Sequence, residues 1–317
     1  MNGTQKITII CWAVAAILLV VLAVWIILRG QVSGWWKGIR FDNPTQPYAL
    51  AGSYEAESGG ITNISVQWTA GEVVMSAYDG DTIVVNEYAR RTLEDGEKLS
   101  MEQKNGTLEI EYTKAALISY GMFSKKLEIF IPRPLAAELG RLELKGTSAA
   151  LKASGLGVDE FSVHTTSGEC ELSDLKADEA EFISTSGAIH VARVTANELK
   201  INVVSGEVKL SEVEVGSLIS NSTSGMQDFS GRFENMEVKS VSGEINIADS
   251  INPVKLVCGT TSGAIEAAIP GGSDLAVSYA TTSGKFTSEI PVTNAGDSAP
   301  YRFSSVSGSI KLKKLPS

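Results

Sequence analysis

The chain has 317 residues, a formal net charge of −10 and three cysteines. No Asp or Glu precedes Asp42, whereas four of the 27 basic residues do, so the rest of the chain sets 23 basic against 37 acidic side chains, or −14. Such a surface disfavours nucleic acid and anionic lipid as partners, and three cysteines are too few for a disulfide framework.

Residues 1–6 are a short tail. Residues 7–28, from Ile7 to Leu28, hold no charge, and Thr8 is their one clearly polar group. That length crosses a bilayer as a helix. No small-residue cleavage site follows closely, so the segment reads as a retained single-span anchor rather than a signal peptide. Cys11 lies inside it, with too little before it for a lipoprotein signal. Lys6 precedes the span, and Arg29, Lys37 and Arg40 follow it, which by charge alone favours a cytoplasmic C-terminal domain. The Ser/Thr/Gly-rich remainder has the character of an exported repeat protein. Residues 29–60 read as a juxtamembrane segment and linker. Trp35 and Trp36 suit the membrane interface, and Pro44, Pro47, Gly52, Gly59 and Gly60 interrupt regular structure.

Residues 61–141 read as irregular coils and a cap. Ile64, Val66 and Trp68 alternate before Ala70-Gly71, and Val73, Met75 and Tyr78 follow it. Further strands are predicted around Ile83–Tyr88, Leu108–Tyr112 and Leu127–Ile131. Asp79-Gly80-Asp81 reads as a hairpin turn. The loop Arg90–Asn105 is expected to be charged and solvated, and Trp68 to help cap the open end of the domain.

Residues 142–317 carry the dominant pattern. A Ser-Gly pair recurs at Ser167, Ser186, Ser205, Ser224, Ser242, Ser262, Ser283 and Ser307, with a degenerate first copy at Ser148-Ala149. The period is about 19 residues, the mark of stacked repeats. Six residues before each serine stand Leu142, Phe161, Ala180, Leu199, Leu218, Met236, Leu256, Val277 and Tyr301. Similar apolar columns lie four before, three after and five after it, which is strand periodicity. In the Ser224 copy the column three after is assigned to Met226 rather than Gln227. The residue before each serine is Thr or Val, an outward ladder. The one before that is mostly Ser or Thr, an inward ladder of hydroxyls. The glycine suits a corner that needs positive φ or leaves no room for a Cβ. The fold class is therefore all-β: a parallel β-solenoid preceded by one transmembrane helix. Cys170 and Cys258 sit in apolar columns and read as buried, unpaired core residues.

No catalytic, cofactor-binding or metal-binding residues are assigned. The outward column three before the serine is mixed: Lys145, His164, Ile183, Asn202, Asn221, Lys239, Gly259, Ala280 and Ser304. His164 and His190 fall on different sides of neighbouring coils, and Glu169, Glu207 and Glu244 on separate rungs. G-x-S-x-G is absent.

The anchor, the linker and the repeated T/V-S-G, as at Thr166-Ser167-Gly168, Thr185-Ser186-Gly187 and Thr261-Ser262-Gly263, resemble the bacterial DUF4097 family. That family comprises β-strand-repeat proteins named as adhesins and includes LiaG-like membrane-anchored proteins of Gram-positive bacteria. The resemblance implies a β-solenoid on the outer face of the cell membrane, sometimes linked to envelope stress, with no catalytic residues to carry over. The reading is a non-enzymatic, membrane-anchored binding or scaffolding surface whose partner is an envelope protein or a glycan. Two alternatives are a bactofilin-like polymer, joined through Tyr301, Phe303, Ile310 and Leu312 of the final coil, and a glycan-active β-helix enzyme. An acidic cluster spanning neighbouring coils in a groove would favour the enzyme.

Overall fold

The computed structural model describes residues 45–112, 123–272 and 274–315. The expected span at 7–28 lies outside the described residues, among which no helix is long and apolar enough to cross a membrane. Nineteen strands form one long, mostly parallel sheet, consistent with a solenoid. In chain order they are β1 (Ala49–Glu57), β2 (Asn63–Tyr78), β3 (Thr82–Ala89), β4 (Ser100–Lys104), β5 (Thr107–Glu111), β6 (Lys125–Pro132), β7 (Leu139–Thr165), β8 (Cys170–Ser184), β9 (Ile189–Ser205) and β10 (Val208–Ser224). They continue as β11 (Gln227–Ser242), β12 (Ile245–Asp249), β13 (Lys255–Ser262), β14 (Ile265–Ile269), β15 (Leu275–Thr281), β16 (Phe286–Ser288), β17 (Val292–Asn294), β18 (Tyr301–Ser307) and β19 (Ile310–Lys314).

The sequence columns are the registers of this sheet. Phe161 pairs with Ala180, Ala180 with Leu199, Leu199 with Leu218 and Leu218 with Met236. These side chains are buried and form one continuous core. At the corner, Thr165 Oγ1 accepts the Gly168 N–H at 3.0 Å, and Ser184 Oγ accepts that of Gly187 at 2.9 Å. Four members of the inward ladder, Thr165, Ser184, Ser222 and Ser305, thus bond to backbone, whereas the buried hydroxyls of Ser240, Thr260 and Thr281 meet no protein partner. Thr166, Thr185, Val204 and Val241 point outward and are exposed.

The corner glycines are selected by space. A Cβ on Gly168 would lie 1.7 Å from the Ala149 carbonyl oxygen, one on Gly187 1.9 Å from that of Gly168, and one on Gly263 2.1 Å from that of Gly243. Among the eight corner glycines only Gly225 has positive φ, at 121°. Close stacking of one coil on the next, not backbone handedness, is the constraint.

The spatial order of the coils departs from their sequence order at both ends. β18 and β19 pair with β13 and β14 on one side and with β15 and β16 on the other. The Ser307 coil is therefore inserted between the Ser262 and Ser283 coils. Tyr301, Phe303, Ile310 and Leu312 are buried there, so the joining face expected on the final coil does not exist. The last coil in space carries Tyr279, 46% exposed, stacked on Phe286 with ring centroids 4.0 Å apart. At the other end, β2 lies between β7 and the coil formed by β5 and β6.

Several expectations are corrected at this N-terminal end. Trp68 is interior, and the outermost coil is covered instead by antiparallel strands, β3 on β6 and β4 on β5. Residues 49–57, read as linker, form β1, which pairs antiparallel with β3 and packs Ala51, Tyr54 and Ala56 against the core. Small residues and a glycine hide that alternation. Asp79–Asp81 does not close a hairpin, because β3 pairs with β6 and β1 rather than with β2. The loop at 90–105 is not fully solvated: Leu93 and Leu99 are buried. In the Ser224 coil, Gln227 and not Met226 takes the inward position, between Val208 and Ile245. Its amide is satisfied by Ser220 Oγ, which donates to Oε1 at 2.5 Å, and by donation from Nε2 to the Lys239 carbonyl at 3.0 Å.

A second corner lies seven residues after the serine. Gly155, Asp174, Arg193 and Glu212 occupy it in successive coils, all at φ between 52° and 70°. Asp249 holds the same place in a later coil. Its Oδ1 accepts the Phe233 and Ile251 N–H groups at 3.2 and 3.1 Å, while Oδ2 meets no protein donor. Burial pushes its carboxyl up to about 6, against the pull of those two N–H groups and of Arg232.

Two expectations follow. Cysteines at Thr261 and Val306 should form a disulfide, since adjacent strands lie about 4.8 Å apart. Cysteines at Thr261 and Thr282 should not, because the Ser307 coil separates them by about twice that distance. Gel mobility under denaturing, non-reducing conditions reads both, and the opposite pairing would restore sequence order. Asp249 has a raised folded-state affinity for its proton, so its contribution to stability is full below about pH 4 and is lost as pH rises through about 6. Asp249→Asn should gain on the native protein by on the order of 2 kcal/mol between pH 4 and pH 7.5 in thermal melts. A pH-independent difference would contradict this.

Candidate functional site

The coils present three outward faces, each built from alternate residues of stacked strands. On the face before the Ser-Gly corner, the part nearest the corner combines two columns, three residues and one residue before the serine. Between them runs a shallow groove of about 790 Å³, spanning the coils from Ile183–Thr185 to Ser304–Val306. Its floor is the small Ser/Thr ladder together with Val203. Its rims include Asn202, Asn221, Val204, Val241 and Val306, and the three valines are each 52% exposed. Asn221 Nδ2 donates to Asn202 Oδ1 at 3.2 Å. Neither column contains an Asp or Glu in any of the nine copies. Lys145 and Lys239, the lysines of these columns, are held by Glu143 and Glu237 at 2.8 and 2.5 Å. These two columns thus form a strip of low net charge on an acidic rod.

The face after the corner is charged. Lys152, Glu171, His190 and Lys209 line a depression of about 440 Å³ with Ser154, Ser173 and Ser211. Lys152 bridges Glu171 at 3.1 Å and Glu72 at 3.4 Å, and His190 Nδ1 lies 3.3 Å from Glu169. His164 belongs to the other face, so the two histidines are not brought together.

On the strand face before the corner, the half that lies away from the corner carries a carboxylate column. Glu160, Glu179 and Glu198 stand in register on neighbouring coils, with Glu181 beside them. This arrangement was not recognised in the sequence, because the column lies seven residues before the serine, beyond the strand columns first compared. Arg141 lies 3.5 Å from Glu160 and Lys200 2.8 Å from Glu198. The depression is only about 150 Å³. A glycosidic acid–base pair needs two carboxyl groups in contrasting environments, and these residues share one open, cation-laced surface. Among the described residues, no group of three His, Cys, Asp or Glu side chains could hold a metal ion.

The most polar buried site is structural. Lys125 Nζ meets Glu87 Oε1 at 2.5 Å, with both side chains fully buried, and donates to the Glu97 carbonyl at 2.9 Å. Glu87 Oε2 accepts the Leu99 N–H at 3.1 Å and the Tyr54 hydroxyl at 3.3 Å. The ammonium stands 4.1 Å from the Tyr112 ring centroid and 4.9 Å from that of Trp68. Burial draws the Lys125 pKa below the usual lysine range, opposed by Glu87; burial, then Glu87, pushes the Tyr54 phenol up to about 12. The signal was present in the sequence: Lys125 is in phase with Leu127, Ile129 and Ile131, and Glu87 with Ile83, Val85 and Ala89. Cys170 and Cys258 are buried free thiols, and burial pushes that of Cys170 up to about 12. No nucleophile is set beside a base in this arrangement.

Two solved structures share the fold. A "putative lipid binding protein" from Parabacteroides distasonis is 15% identical, with a TM-score of 0.51 over 87% of this chain and 100% of its own. A "putative adhesin" from the same organism is 10% identical, with a TM-score of 0.50 over 84% of this chain and 98% of its own. No curated protein matches the chain. The Toastrack DUF4097 profile matches residues 61–313, which include the Ser-Gly coils and the N-terminal coils stacked on them, and the chain belongs to that family.

Proposed function

We propose that this protein is a non-enzymatic, membrane-anchored β-solenoid that presents a binding face at the bacterial cell envelope. Residues 7–28 serve as the anchor, 29–60 as the approach to the domain, and the repeats stand outside the membrane. The observation that carries the reading is the pair of carboxylate-free columns beside the Ser-Gly corner, on a chain whose charge is −14 beyond residue 41. Interface centres are depleted in charge relative to the rest of a surface, and an extended rod offers such a stripe over many coils. The names of the two similar structures, an adhesin and a lipid-binding protein, point the same way without fixing the ligand. The open carboxylate column, in which Glu160 and Glu198 meet Arg141 and Lys200, supports a non-enzymatic role over glycan hydrolysis.

The location is tested by fusions at the C-terminus in living bacteria. Alkaline phosphatase should be active there, and a fluorescent protein that matures only in the cytoplasm should stay dark. The reverse pattern would place the domain in the cytoplasm, as the Arg29, Lys37 and Arg40 cluster alone would have it.

A further inference from the structure

We infer that the groove before the Ser-Gly corner binds a neutral, linear glycan lying along the rod axis. The inference rests on the binding-face reading and names its ligand class. Three properties select that class. The first is charge. The rims and floor contain no carboxylate, and Lys239 is neutralised by Glu237 at 2.5 Å. An anionic polymer would find only the ion-paired Lys239 in the groove, and one column away a balanced set in which Glu181 and Glu237 offset Lys200 and Arg302. A cationic one would be drawn instead to the carboxylate column at the far end of the same strands.

The second property is size. The groove crosses six coils, about 24 Å at one strand spacing per coil, and its rims are two residues apart, about 7 Å. The product is about 170 Å², far below the roughly 800 Å² per partner of a stable protein–protein interface. One polymer chain fills the slot, whereas a second copy of this protein does not gain enough contact there. An extended polypeptide is disfavoured for another reason. The sheet's backbone groups are already paired between coils, so the groove offers only side chains and no edge for strand addition.

The third property is chemistry. Each coil repeats one outward hydroxyl or methyl, from Thr185, Val204, Thr223, Val241, Thr261 and Val306, against a rim that includes Asn202, Asn221 and Ser304. In the bonded Asn202–Asn221 pair, Asn202 Nδ2 and Asn221 Oδ1 still present a donor and an acceptor. Sugar rings carry hydroxyls on their edges and C–H groups on their faces. They can bond to the amides and hydroxyls of one rim while resting on the valine methyls of the other, at a repeat set by the coil spacing.

The test uses the full chain in a micelle of sugar-free detergent, applied to an array of neutral and acidic linear glycans, with phosphatidylcholine vesicles as a separate arm. Binding to a subset of the neutral glycans is expected, unchanged between low and high salt because no ion pair is made. Val204→Lys with Val241→Lys should reduce that binding at least tenfold. Glu179→Gln with Glu198→Gln, outside the groove at the far end of the same strands, should leave it intact. All four sites are on the surface, and matching circular dichroism melts confirm that the variants fold. Binding confined to acidic glycans or to vesicles, binding unaffected by the valine substitutions, or no binding to any neutral glycan would each overturn the inference. The fusions that test location are read in cells and this array on purified protein, so either can fail alone.

Discussion

The structure depends on the approach of one coil's corner glycine to the corner carbonyl of the coil beneath it. The distances of 1.7 to 2.1 Å that a Cβ would make at Gly168, Gly187 and Gly263 leave no place for a methyl group. Because the obstacle is backbone, no side-chain rotation relieves it. The same contact keeps successive strands within hydrogen-bonding reach and holds the apolar columns in register. Every side chain one or three residues before the corner is thereby set on one outer face at a fixed repeat. The groove is a by-product of the corner.

The glycine column also records the order of stacking. Gly308 lies over Gly263, and Gly284 over Gly308, which is the inserted coil at the C-terminal end seen from its corner. Insertion leaves no sequence trace in the columns themselves: Tyr301 and Val277 both fit the same apolar position, and a list of columns is blind to their order. It does explain why the large aromatic residues Tyr301 and Phe303 sit one coil inside the rod, where they are fully packed. The stacked pair Tyr279 and Phe286 stands on the last coil in space.

How much was legible follows the same division. The columns nearest the Ser-Gly corner are legible, because periodicity averages over many copies. The hydroxyl ladder, the outward Thr/Val ladder and the buried cysteines all emerged that way. Single, paired exceptions were missed. Ser220 and Gln227 are both polar in apolar columns of one coil, and each satisfies the other; reading either alone suggested a slip to Met226. Lys125 and Glu87 are likewise in phase with apolar neighbours on different strands, and their burial is tolerable only because they meet. β1 was lost to its small residues, and the left-handed corner at Asp174, Arg193 and Glu212 carries no glycine to announce it. The candidate strip is visible as a pair of columns, but its meaning comes from the contrast with the carboxylate column at the far end of the same strands.

The central claim is that coil stacking, and not corner conformation, requires glycine. Thermal melts of Gly187→Ala and Gly272→Ala compare the two demands directly. A Cβ at Gly187 would strike the Gly168 carbonyl at 1.9 Å, whereas at Gly272 it meets nothing within 4 Å, and neither residue has positive φ. The account predicts that Gly187→Ala loses about 1–3 kcal/mol, while Gly272→Ala is neutral or slightly more stable. Equal stability of the two variants would contradict it.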